Sequence, residues 1–306
     1  MRAATERRIL RGWVAVFLGA LLAASPPAAA GERASSETGR SLEMYRGLGT
    51  WIDIYDGDLM NHPRRTVRRA SAQGVKTIYV ETANYHSRRP VMRRSKMASL
   101  IEHAHRRGLN VVAWYLPGFR DLDRDFHRSL RAIRFGAARD ERFDSFALDI
   151  ESPLVKNPER RTRRLVRLSA RLRREVGRRY TLGAIIPSPK GMQLSPSYWP
   201  GFPYERLARK YDVMLPMIYF SWRVSGYRAV YRYTSRCFRI LRRETEHPRF
   251  PVHAIGGIAD ETSGREVRAF ARAVTRKSAI GAGLYDLGTM GPEDWTSMRR
   301  ARYRSP

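Results

Sequence analysis

The feature that most restricts what this chain can fold into is a rhythm. From about residue 48 onward, eight short runs rich in β-branched and aromatic residues recur, each ending in polar residues and followed by a charged amphipathic stretch. The runs are 49–56 (GTWIDIYD), 77–83 (TIYVETA), 110–117 (NVVAWYLP), 145–152 (SFALDIES), 181–188 (TLGAIIPS), 212–220 (DVMLPMIYF), 251–259 (PVHAIGGIA) and 279–287 (AIGAGLYDL). Between them the pattern predicts helices over 63–73, 93–107, 121–135, 158–176, 203–210, 226–244, 263–276 and 292–300. The second of these stops at Gly108 and the fourth at Gly177, glycine being the residue that best tolerates the left-handed turn at a helix end. One strand and one helix every ~30 residues is a βα unit, and eight of them fit a closed α/β (β/α)8 TIM barrel, usually of roughly 250 residues. An open doubly wound sheet is the alternative, but no G-x-G-x-x-G turn follows the first run, where a dinucleotide-binding sheet would carry it.

The barrel is assigned to 44–306, as a single domain with two segments in front of it. Residues 1–30 read as a secretory signal peptide. Arg2, Arg7, Arg8 and Arg11 make a basic start, 13–24 is an apolar run, and Ala28-Ala29-Ala30 offers a small-residue cleavage site before Gly31. The run falls short of the ~20 apolar residues that a bilayer span needs, so an uncleaved anchor is the lesser alternative, and no later stretch approaches that length. Residues 31–43 read as a flexible lead-in. The expected location is therefore secreted or extracytoplasmic, with no membrane span once the signal is removed.

Composition enters where the charge has to be explained. The 306 residues include 58 Lys+Arg against 29 Asp+Glu, a formal charge of +29, yet 42% are hydrophobic and 10% aromatic, enough to build a core. The cations are almost all arginine, spread along the chain, and most fall on the predicted helices that would form the outer ring of the barrel. A solvated basic exterior competes with a real affinity for an anionic cell-surface polymer, and no motif for specific nucleic-acid recognition is present. Cys237 is the only cysteine, which excludes an intrachain disulfide and makes a buried, inert thiol the expectation.

In a (β/α)8 barrel the working residues sit at the C-terminal ends of the strands. Here those ends carry Asp53, Tyr55 and Asp56; Glu81, Asn84 and Tyr85; Trp114 and Tyr115; Asp149 and Glu151; Ser188; Tyr219 and Trp222; Asp260; and Tyr285 and Asp286. Carboxyl groups and aromatic faces are what glycan cleavage requires. A carboxylic acid protonates the leaving oxygen, a second group supports the attack, and rings stack on the C–H faces of sugars. The sharpest pair is Asp149 and Glu151. Strand alternation puts both on one face and Leu148 and Ile150 on the other, and two such close carboxyl groups cannot ionise independently. The alternative is that arginines neutralise both in salt bridges. Asp149 and Glu151 are the candidate catalytic residues. Tyr219, Asp53, Glu81, Tyr85, Trp114, Trp222, Tyr285 and Asp286 are the candidate substrate-binding residues.

The stretch Asp144-Ser-Phe-Ala-Leu-Asp149-Ile-Glu151 resembles the D-G-x-D-x-D-x-E signature on the fourth strand of family 18 glycoside hydrolases, the chitinases, and Met217-Ile-Tyr219 is similar to the M-x-Y of the same family. The resemblance implies Glu151 as acid/base, Asp149 as its orienter in a substrate-assisted reaction, and Tyr219 as the substrate clamp. Ala147 stands at the middle acidic position and Tyr285 where the family usually places tryptophan. The shorter D-x-E also resembles family 25 muramidases, which would pair it with an acidic residue on the first strand, here Asp53. More broadly, 44–300 looks like uncharacterised bacterial glycosyl-hydrolase-type barrels.

Other signals point away from chemistry. His103 and His105 lie two apart on a predicted helix with no third ligand at zinc spacing, so no metal and no cofactor are expected. His253 inside the seventh strand reads as a core histidine, and Gly256-Gly257 as a close-packing site. In the segment after the fifth strand, Tyr198 and Trp199 are either sugar platforms or a structural lid, and Ser188 has no evident base. Together these readings give a secreted glycoside hydrolase acting on a polysaccharide or cell-wall glycan by general acid/base catalysis. The alternative is an inactive barrel that binds a glycan or an anionic polymer at the cell surface.

Overall fold

The computed structural model describes residues 41–137 and 141–303, so the signal peptide assigned to 1–30 and most of the lead-in lie outside the described residues. One compact unit begins at Leu42. Its strands are β1 (Gly47–Ile52), β2 (Thr77–Asn84), β3 (Asn110–Leu116), β4 (Ser145–Asp149), β5 (Leu182–Pro187), β6 (Val213–Met217), β7 (His253–Ile258) and β8 (Gly281–Tyr285). All neighbouring strands are parallel and in chain order, and β8 pairs back onto β1, which closes the barrel. The TIM-barrel expectation is met.

Ten helices lie among the described residues: α1 (Gly57–Asn61), α2 (Pro63–Ala72), α3 (Arg94–His105), α4 (Leu122–Ile133), α5 (Pro158–Val176), α6 (Pro189–Leu194), α7 (Tyr204–Ala208), α8 (Tyr227–Glu244), α9 (Gly264–Arg276) and α10 (Pro292–Met298). The sequence encodes their ends locally. Pro158 opens α5 behind Asn157, whose side chain accepts from the Arg160 amide, and Gly177 closes it at φ 73°. In α9, Ser263 and Glu266 form a reciprocal capping box. Two helices were not legible in the sequence. α1 follows the first strand, and α6 forms because the Ser188 hydroxyl caps the Gly191 amide ahead of Pro189. Among the described residues no helix is long and apolar enough to cross a membrane.

Alternation along the strands builds two cores. Leu48, Ile52, Ile78, Val80, Val111, Phe146, Leu148 and Ile150 face outward into the layer beneath the helices, while Trp51, Tyr79, Val112, Trp114, Ala147, Ile185, Leu215 and Ile255 fill the barrel itself. The interior is aromatic on one side: Trp51 stacks on Tyr79 at 4.3 Å and meets Trp114 edge-on at 6.4 Å. The other side must then be thin, and the structure meets this with glycine. A Cβ on Gly283 would stand 2.2 Å from the Gly49 carbonyl oxygen where β8 meets β1. Gly256 and Gly257 are the expected close-packing site, since a Cβ would meet Leu284 at 2.5 Å and Thr262 at 2.6 Å respectively.

The strands' N-terminal end is plugged by a 3-10 turn, Glu43–Tyr45, so the last residues of the expected lead-in belong to the folded unit. Tyr45 is fully buried, its hydroxyl 2.8 Å from Ser145 Oγ. His253 Nδ1 lies 2.9 Å from the Tyr45 carbonyl oxygen and 3.0 Å from the Tyr79 hydroxyl. A carbonyl can only accept, so Nδ1 carries the proton, and burial pushes the imidazole pKa down to about 4. His253 is the core histidine that the sequence suggested.

Candidate active site

At the opposite end of the barrel, β2 and β4 bring three carboxyl groups together. Glu81 follows Tyr79 with the inward parity of β2 and is 2% exposed. Asp149 ends β4 at 5% exposure, and the Ile150 amide still bonds to the Ile185 carbonyl (2.8 Å), so the extended course carries Glu151 to the half-buried rim. β4 is therefore shorter than the run 145–152, but its alternation persists past its end, with Ile150 buried in the outer core. The expected pairing of Asp149 and Glu151 on one face holds, and the alternative of arginine salt bridges fails: no arginine pairs with either among the described residues.

Without cations, burial decides the charge state. Glu81 is pushed up to about 8, first by burial and then by the neighbouring Asp53 charge, with an opposing hydrogen bond from the Ile54 amide to Oε2 (3.1 Å). Burial pushes Glu151 up to about 7. Asp149 is raised well above the usual carboxylate range by burial, by Glu151 and by Glu81. Its Oδ1 is buried with no hydrogen-bond partner among the described residues. At neutral pH this group holds protons that ordinary carboxylates would have lost, which is what a general acid needs.

An aromatic wall stands beside the carboxyls. Tyr219 follows β6 in the left-handed region (φ 38°, ψ 54°), a conformation costing roughly 1–2 kcal/mol for a residue with a Cβ. Its ring meets Trp222 at 5.0 Å and Tyr285 at 6.2 Å, both edge-on. Each neighbour is anchored by a carboxylate: the Trp222 indole donates to Glu261 Oε2 (2.6 Å), and the Tyr285 hydroxyl donates to Asp53 Oδ2 (2.6 Å). From behind β4, the Tyr198 hydroxyl donates to the Glu151 carbonyl oxygen (2.6 Å).

Several expected site residues have other duties. Trp114 lies inside the barrel at 6% exposure, against Trp51 and opposite Ala147, so it is a floor beneath the mouth and not a platform facing substrate. Asp286 is 1% exposed, and its Oδ1 accepts from the Thr289 amide and hydroxyl (both 3.1 Å), which fixes a turn at the end of β8. Asp53 serves the first loop: Oδ1 accepts from the Tyr55 and Asp56 amides, and Asp56 Oδ2 accepts from the Asp53 amide in return. Oxygens of Asp53, Asp56 and Asp286 lie within 4.8 Å of one another, the one carboxylate group at metal-ligand spacing among the described residues, and these hydrogen bonds also shape the loops. Tyr85 packs on His86 at 4.2 Å and against Gly118, in the loops after β2 and β3.

Residues left open by the sequence also resolve. Trp199 is 2% exposed beneath the Arg161 guanidinium (4.0 Å) and beside Phe202, a structural role, whereas Tyr198 supports Glu151. Asp144, matched to the first acidic position of the chitinase signature, sits ahead of β4, where its Oδ2 accepts from the Val111 amide (2.6 Å) and lies 3.0 Å from His105 Nε2. Cys237 is buried, with its thiol pushed up to about 11 and Ser188 Oγ at 3.5 Å, so both are structural. Sequence reasoning missed Glu261, which lies 39 residues from Trp222 in another loop, and no local pattern links the two.

No protein-family model matches the chain, and no curated protein matches it either. Solved structures do. An endo-β-1,4-mannanase from Thermotoga petrophila superposes with a TM-score of 0.62 at 11% identity, covering 80% of this chain and 68% of its own. A chitinase from Chromobacterium violaceum gives 0.56 at 13% over 83% and 98%, and the spore cortex-lytic enzyme SleL of Bacillus cereus gives 0.59 at 9% over 85% and 75%. At these identities the likeness is one of fold: the chain shares the (β/α)8 barrel of these structures.

Proposed function

We propose that the protein is a glycoside hydrolase that cleaves a polysaccharide or cell-wall glycan, with Glu151 as the general acid. The observation that carries this reading is the group Glu81, Asp149 and Glu151, without a cation partner among the described residues and poised to hold protons at neutral pH, beside the wall of Tyr219, Trp222 and Tyr285. Glu151 is the rim member and the one a glycosidic oxygen can reach. Its carboxyl proton passes to the leaving oxygen as the glycosidic bond breaks, and the resulting carboxylate then takes a proton from the water that completes hydrolysis.

Asp149, deeper and raised by burial and by Glu151, acts as a hydrogen-bond donor beneath Glu151 and so orients it and any acyl oxygen of the substrate. The similarity to family 18 enzymes, which rests on Asp149, Glu151 and Tyr219, favours a substrate with an N-acetyl group. Ala147 departs from that pattern, but it faces a barrel interior already filled by Trp51 and Trp114 and therefore removes no group from the mouth. Action outside the cytoplasm follows from the signal-like residues 1–30.

The test is release of reducing ends from a panel of β-mannan, chitin and purified peptidoglycan, by wild type and by Glu151→Gln. The reading expects turnover on at least one of them, lost by roughly 100-fold or more in the variant while circular dichroism is unchanged. Binding without product on every substrate would assign a glycan-binding barrel instead.

A further inference from the structure

The arginines are not all alike. On α5 five of the eight are engaged: Arg173 pairs with Asp212 (2.7 Å), Arg171 with Asp123, and Arg163 with Glu159 (3.8 Å), while Arg161 lies over Trp199 and Arg164 donates to the Phe119 and Arg120 carbonyls. On α9 the pattern is different. Arg268, Arg272 and Arg276 recur every four residues, a rise of roughly 6 Å per step, and form an exposed stripe that faces Arg300 just past α10. Between the two helices lies a cleft of about 280 Å³, lined by these four arginines with Thr275 and Ser297. Among the described residues none of the four makes an ion pair, and Arg272 spends one donor on the Tyr227 hydroxyl (3.3 Å).

Two of the nearby acids are already in use, and Glu293 packs instead against Gly264 at the start of α9. Glu266 accepts from the Gly226 and Ser263 amides, and Asp294 accepts from the Gly291 amide. Four like charges converging on one cleft repel one another, and at the protein surface an anion relieves that repulsion. Each guanidinium presents a planar fork of donors suited to phosphate oxygens. Because helices in a βα barrel run antiparallel to the strands, the C-terminal half of α9 and the end of α10 lie on the outer wall toward the plugged end, away from the carboxyl mouth.

We propose that the α9–α10 cleft is a binding site for a linear phosphodiester polymer that carries no bases, such as a poly(alditol phosphate) of a cell surface. The regular stripe matches a repeating anion, and the lining holds no aromatic ring on which a nucleobase would stack, the feature that single-stranded nucleic-acid sites rely on. The inference is independent of the hydrolytic reading, since it concerns residues outside the mouth and a readout that needs no catalysis.

The experiment measures binding of poly(glycerol phosphate) and of an oligothymidylate with the same number of phosphates, across a range of salt concentrations. Two variants are compared with wild type: R268Q/R272Q/R276Q, and the control R64Q/R68Q/R131Q, which removes the same charge from exposed positions on α2 and α4. The expected result is that the cleft variant binds poly(glycerol phosphate) roughly 10-fold or more weakly, with a log–log salt slope shallower by about 2, while the control changes far less. Equal loss in both variants would show that the affinity belongs to net charge and overturn the site. Oligothymidylate bound as tightly as poly(glycerol phosphate) would overturn the assignment of the occupant.

Discussion

The two ends of this barrel are built by the same strand alternation and differ in what burial does to their ionisable groups. At the plugged end, His253 sits between Tyr45 and Tyr79, and burial keeps it neutral by removing its proton, with the pKa near 4. At the open end, burial keeps Glu81 and Glu151 neutral by retaining theirs, near 8 and 7. The desolvating effect is the same in both places, and its chemical consequence is opposite. A base held far from its titration is inert, whereas clustered acids brought to the working pH can exchange protons with a substrate. The plugged end is scaffold, and the mouth is the proposed reactive site.

Substitutions that separate the two ends sharpen this contrast. The largest effect is expected at the plugged end: Tyr45→Ala removes a fully buried ring from the plug and should cost about 3–5 kcal/mol in denaturant unfolding. Whatever folded fraction remains should keep its pH–rate profile, because the mouth is untouched. Next comes the pH dependence of stability. A carboxyl with a raised folded pKa binds more protons in the folded state between its unfolded value of 4.5 and about 8, so its contribution to stability is lost as pH rises through that window. The melting temperature of Glu81→Gln minus that of wild type should therefore climb from near zero at low pH to a plateau above about pH 8. A difference that stays flat with pH would deny Glu81 its raised pKa.

His253 has the opposite sign. Its depressed folded pKa contributes stability that is present above 6.5 and lost as pH falls toward 4, so the wild-type advantage over His253→Gln should shrink on acidification across that range. An advantage that grew instead would contradict a neutral buried imidazole. The smallest effect is at Tyr285→Phe, which removes the 2.6 Å hydrogen bond to Asp53 and should cost roughly 1.5–3 kcal/mol, read in thermal melts.

The sequence made the barrel legible because each strand carries its own parity: outward Leu148 and Ile150 and inward Asp149 are readable without any distant contact. The same parity located Glu81 above Tyr79, and adjacency located the Asp149 and Glu151 pair. Long-range partnership was not legible. Nothing local says that Asp286 spends its carboxylate on Thr289, that Trp114 lies under the mouth instead of in it, or that Glu261 holds Trp222. Those facts depend on which loops meet once the barrel closes. The neutrality of the carboxyl group was only half visible, since repulsion can be read from spacing but the lack of arginine partners among the described residues cannot.

The central claim is that Glu151 gives a proton to a leaving oxygen, and leaving-group dependence tests it directly. Wild type and Glu151→Gln would be compared on a glycan and on an activated aryl glycoside of the same sugar, whose phenolate departs without protonation. The account predicts that the variant loses roughly 10²–10⁴ in rate on the glycan and much less on the aryl glycoside. Equal losses on both would contradict a proton-donating Glu151.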